Sequence, residues 1–312
     1  MINTLIGNTP MIKINYRYKG KIRSIFAKLE FYNLSGSIKD RVAYYILNDA
    51  IEKGILKKYT PIVEATSGNT GISLAALGAF MKHKVVIFMP DWVSEERSKI
   101  LKMYGAEVHL ISKEEGGFLR CIEEAEKFAK ENNGFLANQF SNPMNVLAHK
   151  NTTAKEILSK VTPDGFISGI GTGGTLMGVA EGLKEKNKNC HIWALEPANM
   201  SLLKNGTIGS HKIDGIGDEF IPEIVKEKDI ENILLVTDEE ALQMSSLLAS
   251  KLGLGVGISS GANMIAAIRM EEEVGGKIVT VFPDDLKKYI SSDLSKTVIT
   301  NDQIELLNYE IL

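Results

Sequence analysis

From residue 61 to residue 283 short apolar runs alternate with segments of helical periodicity, and no other feature of the chain constrains its fold as strongly. The runs are PIVEAT (61–66), VVIFMP (85–90), EVHLI (107–111), GFLANQF (134–140), DGFISGI (164–170), HIWALEP (191–197), ILLVT (233–237) and KIVTVFP (277–283). Between them lie an Ala- and Leu-rich stretch after SGN, the segment EERSKILKMYGA and a long charged stretch over 113–132. A strand that returns beside its predecessor through a helix pairs in parallel, and helices then cover both sheet faces. The expected fold class is α/β, with mostly parallel sheets covered by helices. At 312 residues a length-based expectation is about two domains. The expected division sets a smaller mobile domain, 35–145, against a larger one made of 1–34 with 146–312.

Composition removes several function classes. A net charge of −3 without a dense Lys/Arg stripe gives no reason to expect nucleic acid. The two cysteines, Cys121 and Cys190, stand far apart and outside any CxxC pattern, which argues against a disulfide scaffold or structural zinc. His149 and His211 lack metal-ligand spacing and are taken as structural or surface residues, so no metal is expected. The segment MINTLIGNTPMIKI is not a signal peptide, and no apolar run is long enough to span a membrane. A soluble cytoplasmic protein is the expectation.

In such sheets ligands bind at the carboxyl ends of strands, so the turns there carry the chemistry. In LSGSIKDR (34–41), Lys39 opens a helical pattern that Gly54 stops. A helix start favours anions over cations. Lys39 is therefore either a solvated surface residue or a nucleophile whose surroundings keep its amine deprotonated. EATSGNTG (64–71) crowds Thr66, Ser67, Asn69 and Thr70 onto one turn, more polar donors than a helix cap needs and enough to hold a carboxylate. ISGIGTGGTLMG leaves the backbone of Gly171, Gly173 and Gly174 bare, with a helix starting around Thr175, as a phosphate site requires. Gly169, Gly171 and Gly174 also match G-x-G-x-x-G, and Glu196 ends the next strand, so an NAD-dependent oxidoreductase is the competing reading. That reading leaves Lys39 and the other turn unexplained.

Taken together these features resemble the cysteine synthase (O-acetylserine sulfhydrylase) and cystathionine β-synthase family of fold-type II pyridoxal-phosphate enzymes. LIGNTPMIKI, LSGSIKDRVA, EATSGNTGISLA, QFSNPMNVLAH, GTGGT, ALEP, HKIDGIGDEFIP and GISSGA follow one another in family order. The resemblance implies that Lys39 forms an imine with pyridoxal 5'-phosphate and later moves the substrate's α-proton. It places Asn69 at the cofactor's phenolic oxygen, Gly171, Thr172, Gly173, Gly174 and Thr175 around its phosphate, and Ser260 against its pyridine nitrogen. Thr66, Ser67, Thr70 and Gln139 take the substrate carboxylate, the larger domain is the cofactor-binding one, and the protein is a homodimer. Read alone, Ser260 is instead a helix N-cap before GANMIAAI, and Gln139 a strand-end residue bonded to backbone.

The chain departs from this family in GIGDEFIP, where Asp218 and Glu219 replace small residues, and in HKIDG, where Asp214 stands in place of a common glutamine. The resemblance puts the first position, Asp218, beside the substrate's β-carbon. A carboxylate there repels bisulfide but can serve as base for a neutral nucleophile. The expected reaction is elimination and replacement on L-cysteine through an α-aminoacrylate, releasing hydrogen sulfide and adding water (L-serine) or a second cysteine (lanthionine). The alternatives are an ordinary cysteine synthase acting on O-acetylserine and sulfide, or a catalytically silent scaffold. Asp218 pointing into solvent from a mobile loop is the bland alternative for that residue.

Overall fold

The computed structural model describes residues 2–300 and 303–312. It opens with a hairpin of β1 (Met11–Tyr18) and β2 (Lys21–Leu29). Lys19 and Gly20 make its two-residue turn with φ of 48° and 73°, the left-handed pair that suits the twist of paired strands. Helix α1 (Lys39–Glu52) ends where Gly54 takes φ of 68°. Then β3 (Ile62–Ala65), α2 (Asn69–Met81), β4 (Val85–Pro90), α3 (Glu95–Met103), β5 (Glu107–Ile111), α4 (Gly117–Glu131) and β6 (Phe135–Leu136) alternate. Their strands form one parallel sheet of order β5-β4-β3-β6.

A helical run returns the chain to the other sheet: α5 (Pro143–Ala148), a π-helical turn (His149–Thr153) and α6 (Ala154–Lys160). There follow β7 (Gly165–Gly169), α7 (Gly174–Lys184), β8 (His191–Pro197), the short α8 (Leu202–Asn205) and β9 (Asn232–Val236). Helices α9 (Asp238–Leu252) and α10 (Ile258–Val274) lead to β10 (Ile278–Phe282), and β11 (Ile304–Ile311) completes the series. The second sheet has the order β11-β1-β2-β10-β7-β8-β9. It is parallel from β2 to β9 and antiparallel at β1 and β11. After β7 the chain builds outward through β8 and β9, then returns to the other side of β7 with β10. The crevice at such a switch point is where ligands bind in open α/β sheets.

The apolar runs became strands with small changes of extent. β4, β5 and β8 match their runs, whereas GFLANQF keeps only Phe135–Leu136 because Asn138 turns left-handed at φ 56°. The charged helix starts at Gly117, after Gly116 and Gly117 take φ of 117° and 64°. α2 is buried from Thr70 to Gly78 because α1 covers it on one side and the four-stranded sheet on the other. That explains why its sequence is apolar all round. Among the described residues no helix is long and apolar enough to cross a membrane.

Behind the start of α1 lies a buried ion cluster. Arg41 Nε is 2.6 Å from Glu30 Oε2, and its Nη1 is 2.6 Å from Glu156 Oε1. Lys28 Nζ reaches Glu156 Oε2 at 2.6 Å, and Thr9 Oγ1 donates to Glu30 Oε1 at 2.7 Å. Burial pushes the Glu30 carboxyl up, but the Arg41 charge and hydrogen bonds outweigh it and hold the group well below the usual carboxylate range. Its contribution to stability is present at neutral pH and is lost only as acid carries the solution through that lowered value. Arg41→Met should lower the unfolding free energy by about 3–5 kcal/mol, because it strands buried carboxylates without their partner. Urea denaturation followed by circular dichroism measures this, and a loss below about 1 kcal/mol would show the cluster to be dispensable.

Candidate active site

Between the two sheets, at the carboxyl ends of β3, β7 and β10, a cavity gathers Lys39, the Thr66–Thr70 turn, Gln139, Gly171 to Gly173, Thr175 and Asp218. Lys39 is delivered there because Ile38 N–H donates to Pro283 O at 2.9 Å, pinning the start of α1 to the end of β10. Asp40 holds the preceding loop, accepting from Ser35 N–H at 2.7 Å and Ser35 Oγ at 2.6 Å. Among the described residues Lys39 Nζ makes one hydrogen bond, to Thr172 Oγ1 at 3.4 Å. Burial lowers its pKa to about 8, with the Asp218 charge pulling the other way. A usable fraction of neutral amine is therefore present near neutral pH, which answers why a lysine stands at a helix start.

The carboxylate turn is built from β3 and the first turn of α2. Thr66 Oγ1 accepts from Gly68 N–H at 3.1 Å, and Thr70 Oγ1 donates to Gln139 Oε1. Gln139 in turn donates from Nε2 to Ala65 O at 3.2 Å. Gln139 is thus both bonded to backbone and aligned with the turn. Gly68 adopts φ of 155°, and a Cβ there would lie 2.5 Å from Arg97 Cδ. Asn69 donates to Asp284 Oδ2 at 2.8 Å and accepts from Lys288 Nζ at 3.0 Å, so its amide orientation is fixed from both ends.

The glycine turn meets the demands of a phosphate cradle. A Cβ on Gly171 would fall 2.3 Å from Gly215 O, and one on Gly174 would fall 1.8 Å from Asn145 Oδ1. Gly173 precedes α7 with φ of 84° and brings no capping side chain, so the first N–H of the helix, that of Gly174, has only a long bond to Thr172 Oγ1 at 3.4 Å. Thr172 Oγ1 accepts from Asn145 Nδ2 at 2.9 Å, and Thr175 Oγ1 lies 3.3 Å from His149 Nε2. His149 is pushed down to about 3 by burial, then by the Lys39 and Arg41 charges, and so stays neutral. Ser260 is not a helix cap: Gly257 holds that place, and Ser260 sits two residues inside α10. Its buried Oγ has no hydrogen-bond partner. A lysine of lowered pKa beside a helix start that has no capping side chain, on a glycine turn with no room for side chains, fits pyridoxal phosphate. Glu196, the acid that a dinucleotide would need, is already engaged by the N–H groups of Leu203 (3.0 Å) and Lys204 (3.1 Å).

Asp218 lines the same cavity as Lys39. Burial raises its pKa to about 6, partly offset by the Lys39 and His211 charges. His211 braces the loop: its Nε2–H donates to Gly217 O at 2.9 Å, and its Nδ1 accepts from Ile213 N–H at 3.2 Å. Gly174 and Ser260 lie behind the cavity wall rather than on it. Sequence reasoning passed over Arg97, Asn145, Asp284 and Lys288. Arg97 carries no local signal.

The family model described as pyridoxal-phosphate dependent enzyme matches residues 2–284. Cysteine synthase B of Campylobacter jejuni is 43% identical over 297 residues, 94% of this chain and 97% of that protein. A hydrogen sulfide-producing enzyme from Fusobacterium nucleatum has a solved structure 47% identical to this chain, with a TM-score of 0.95 over 100% of this chain and 97% of the other. An Asp-to-Asn variant of a hydrogen sulfide-producing enzyme, solved as a complex with an α-aminoacrylate intermediate, gives a TM-score of 0.95 at 46% identity, covering 99% of this chain and 98% of that one.

Proposed function

This chain belongs to the pyridoxal-phosphate-dependent enzymes of the cysteine synthase kind, and from that premise we propose that it replaces the thiol of L-cysteine with water, giving L-serine and hydrogen sulfide. The observation that carries the reading is Asp218, a carboxylate with a pKa near 6 in the cavity of Lys39. The solved relatives that produce hydrogen sulfide support the same direction.

Pyridoxal phosphate, when bound, supplies the electron withdrawal that makes the substrate's α-hydrogen acidic. Gly171 to Thr175 would hold its phosphate and Asn69 its phenolic oxygen, and the serine pair Ser259 and Ser260 at the start of α10, of which Ser259 lines the cavity, would supply the hydroxyl for its ring nitrogen. Thr66, Ser67, Thr70 and Gln139 hold the substrate carboxylate, which fixes the α-hydrogen toward Lys39. The Lys39 amine takes that proton, the C–S bond breaks, and sulfur leaves with the bonding pair as hydrosulfide, still carrying its own thiol proton. Asp218 takes a proton from water as its oxygen bonds to the β-carbon. Lys39 returns its proton to the α-carbon and Asp218 gives up the proton it took, which balances the conversion of hydrosulfide to hydrogen sulfide. L-cysteine and water thus give L-serine and hydrogen sulfide, and both groups are restored. A carboxylate at this position disfavours return of hydrosulfide by like-charge repulsion. The 35–145 domain closes over the substrate to exclude bulk water until sulfide has left, and the enzyme works as a homodimer.

The test is incubation of the purified holoenzyme with L-cysteine alone in heavy-oxygen water. Sulfide and labelled L-serine should appear in equal amounts. Lanthionine as the product would assign the second cysteine as nucleophile. Faster synthesis of L-cysteine from O-acetylserine and sulfide would make this an ordinary cysteine synthase.

A further inference from the structure

The loop from His211 to Phe220 that carries Asp218 is fixed on one side and loosely held on the other. Gly217 N–H donates to Ile170 O at 2.8 Å, fastening it to the end of β7. Toward the four-stranded sheet it reaches across through two contacts. Phe220 packs edge-on against Phe140, with ring centroids 4.9 Å apart. Asp214 Oδ2 lies 3.1 Å from Arg97 Nη2.

Arg97 is 1% exposed, on α3, and touches three parts of the machinery at once. Its Nη1 donates to Ser67 O at 2.9 Å, in the carboxylate turn. Its guanidinium lies 5.0 Å over the ring of Tyr289, whose hydroxyl donates to the Asp284 carboxylate that holds Asn69. Its Nε and Nη2, both buried, make no hydrogen bond. The Asp214 carboxylate is close enough to pair but not aligned to accept, so a small shift of either side would complete the bond.

We propose that Asp214 and Arg97 are positioning residues that transmit occupancy of the carboxylate turn to the Asp218 loop and hold Asp218 in place for water addition. This rests on the function proposed above. A substrate carboxylate bound at Ser67 reorients the turn whose carbonyl Arg97 grips; Arg97 then aligns with Asp214, four residues before Asp218. Breaking the pair at Asp214, with Arg97 left in place on Ser67 O, leaves proton abstraction by Lys39 intact, because nothing in that step passes through the loop. Only the second half of the reaction depends on it.

Asp214 is one-third exposed, so its substitution is tolerated where that of Arg97 is not. Holoenzyme is mixed rapidly with L-cysteine, and the visible band of the bound unsaturated amino acid is followed as it rises and decays. In Asp214→Asn the rise should stay within about 2-fold of the parent and the decay should slow by about 10-fold, the worth of one charged hydrogen bond. Asp214→Glu should recover the decay to within about 3-fold. Hydrogen exchange gives a second readout: L-serine should protect segment 211–219 in the parent and not in Asp214→Asn. Equal slowing of rise and decay, an unchanged decay, or equal protection in both proteins would overturn the proposal. Absence of the band in the parent would instead overturn the function itself, while the exchange measurement still decides the coupling.

Discussion

Lys39→Ala should give a protein without the yellow imine band and should lower turnover of L-cysteine by about 10⁴-fold, since one residue supplies both the covalent attachment and the α-proton transfer. In the parent, borohydride followed by peptide mass analysis should place the pyridoxyl group on Lys39. Two other buried lysines make this a discriminating test. Lys288 Nζ donates to Gly36 O and Asn69 Oδ1, each at 3.0 Å, and Lys28 Nζ is paired with Glu156 at 2.6 Å. Lys39 alone of the three has only a long contact, to Thr172. A label on Lys288 would reverse the assignment of nucleophile.

Asp218→Asn preserves size and polarity but removes the base, and turnover should fall by about 10²–10⁴-fold. Sulfide should still be released in a first burst, because its departure depends on Lys39, and the unsaturated amino acid should then accumulate on the enzyme. The pH profile adds a separate signature. Asp218 acts as a base only when ionised, so the parent should lose activity as pH falls through about 6. Once Lys39 no longer carries an ammonium charge, the strongest influence lowering that pKa is gone, and the acid limb lies at or above this value. Asp218→Asn should lack the limb. Normal turnover by the Asn variant would make Asp218 a bystander.

Much of the site was legible because its parts are local. The Thr66–Thr70 turn and the Gly171–Thr175 cradle are short stretches whose residue types answer to one backbone geometry each. Alternation likewise delivered the parallel strands. It was silent on the local hairpin of β1 and β2 and on β11, whose antiparallel pairing with β1 is set by a partner far along the chain. Arg97 was hidden for a related reason. Nothing in EERSKILK distinguishes a buried arginine from its charged neighbours; the burial is decided by Ser67, 30 residues away, and by Asp214 and Tyr289. His211, which the sequence offers only as a structural or surface residue, braces the carbonyl next to Asp218, a role that only the folded loop reveals.

The pairing of β1 with β11 has a consequence for how the protein is made. Asn15 and Asn308 hydrogen-bond across 293 residues of chain, so β1 has an open edge until β11 has been synthesised. The four-stranded sheet needs nothing outside 62–136 for its strand pairing and can assemble early. Its partner sheet waits for β10 and β11. During synthesis the carboxylate turn therefore exists before the crevice that faces it, and an exposed β-edge must be shielded until β11 arrives.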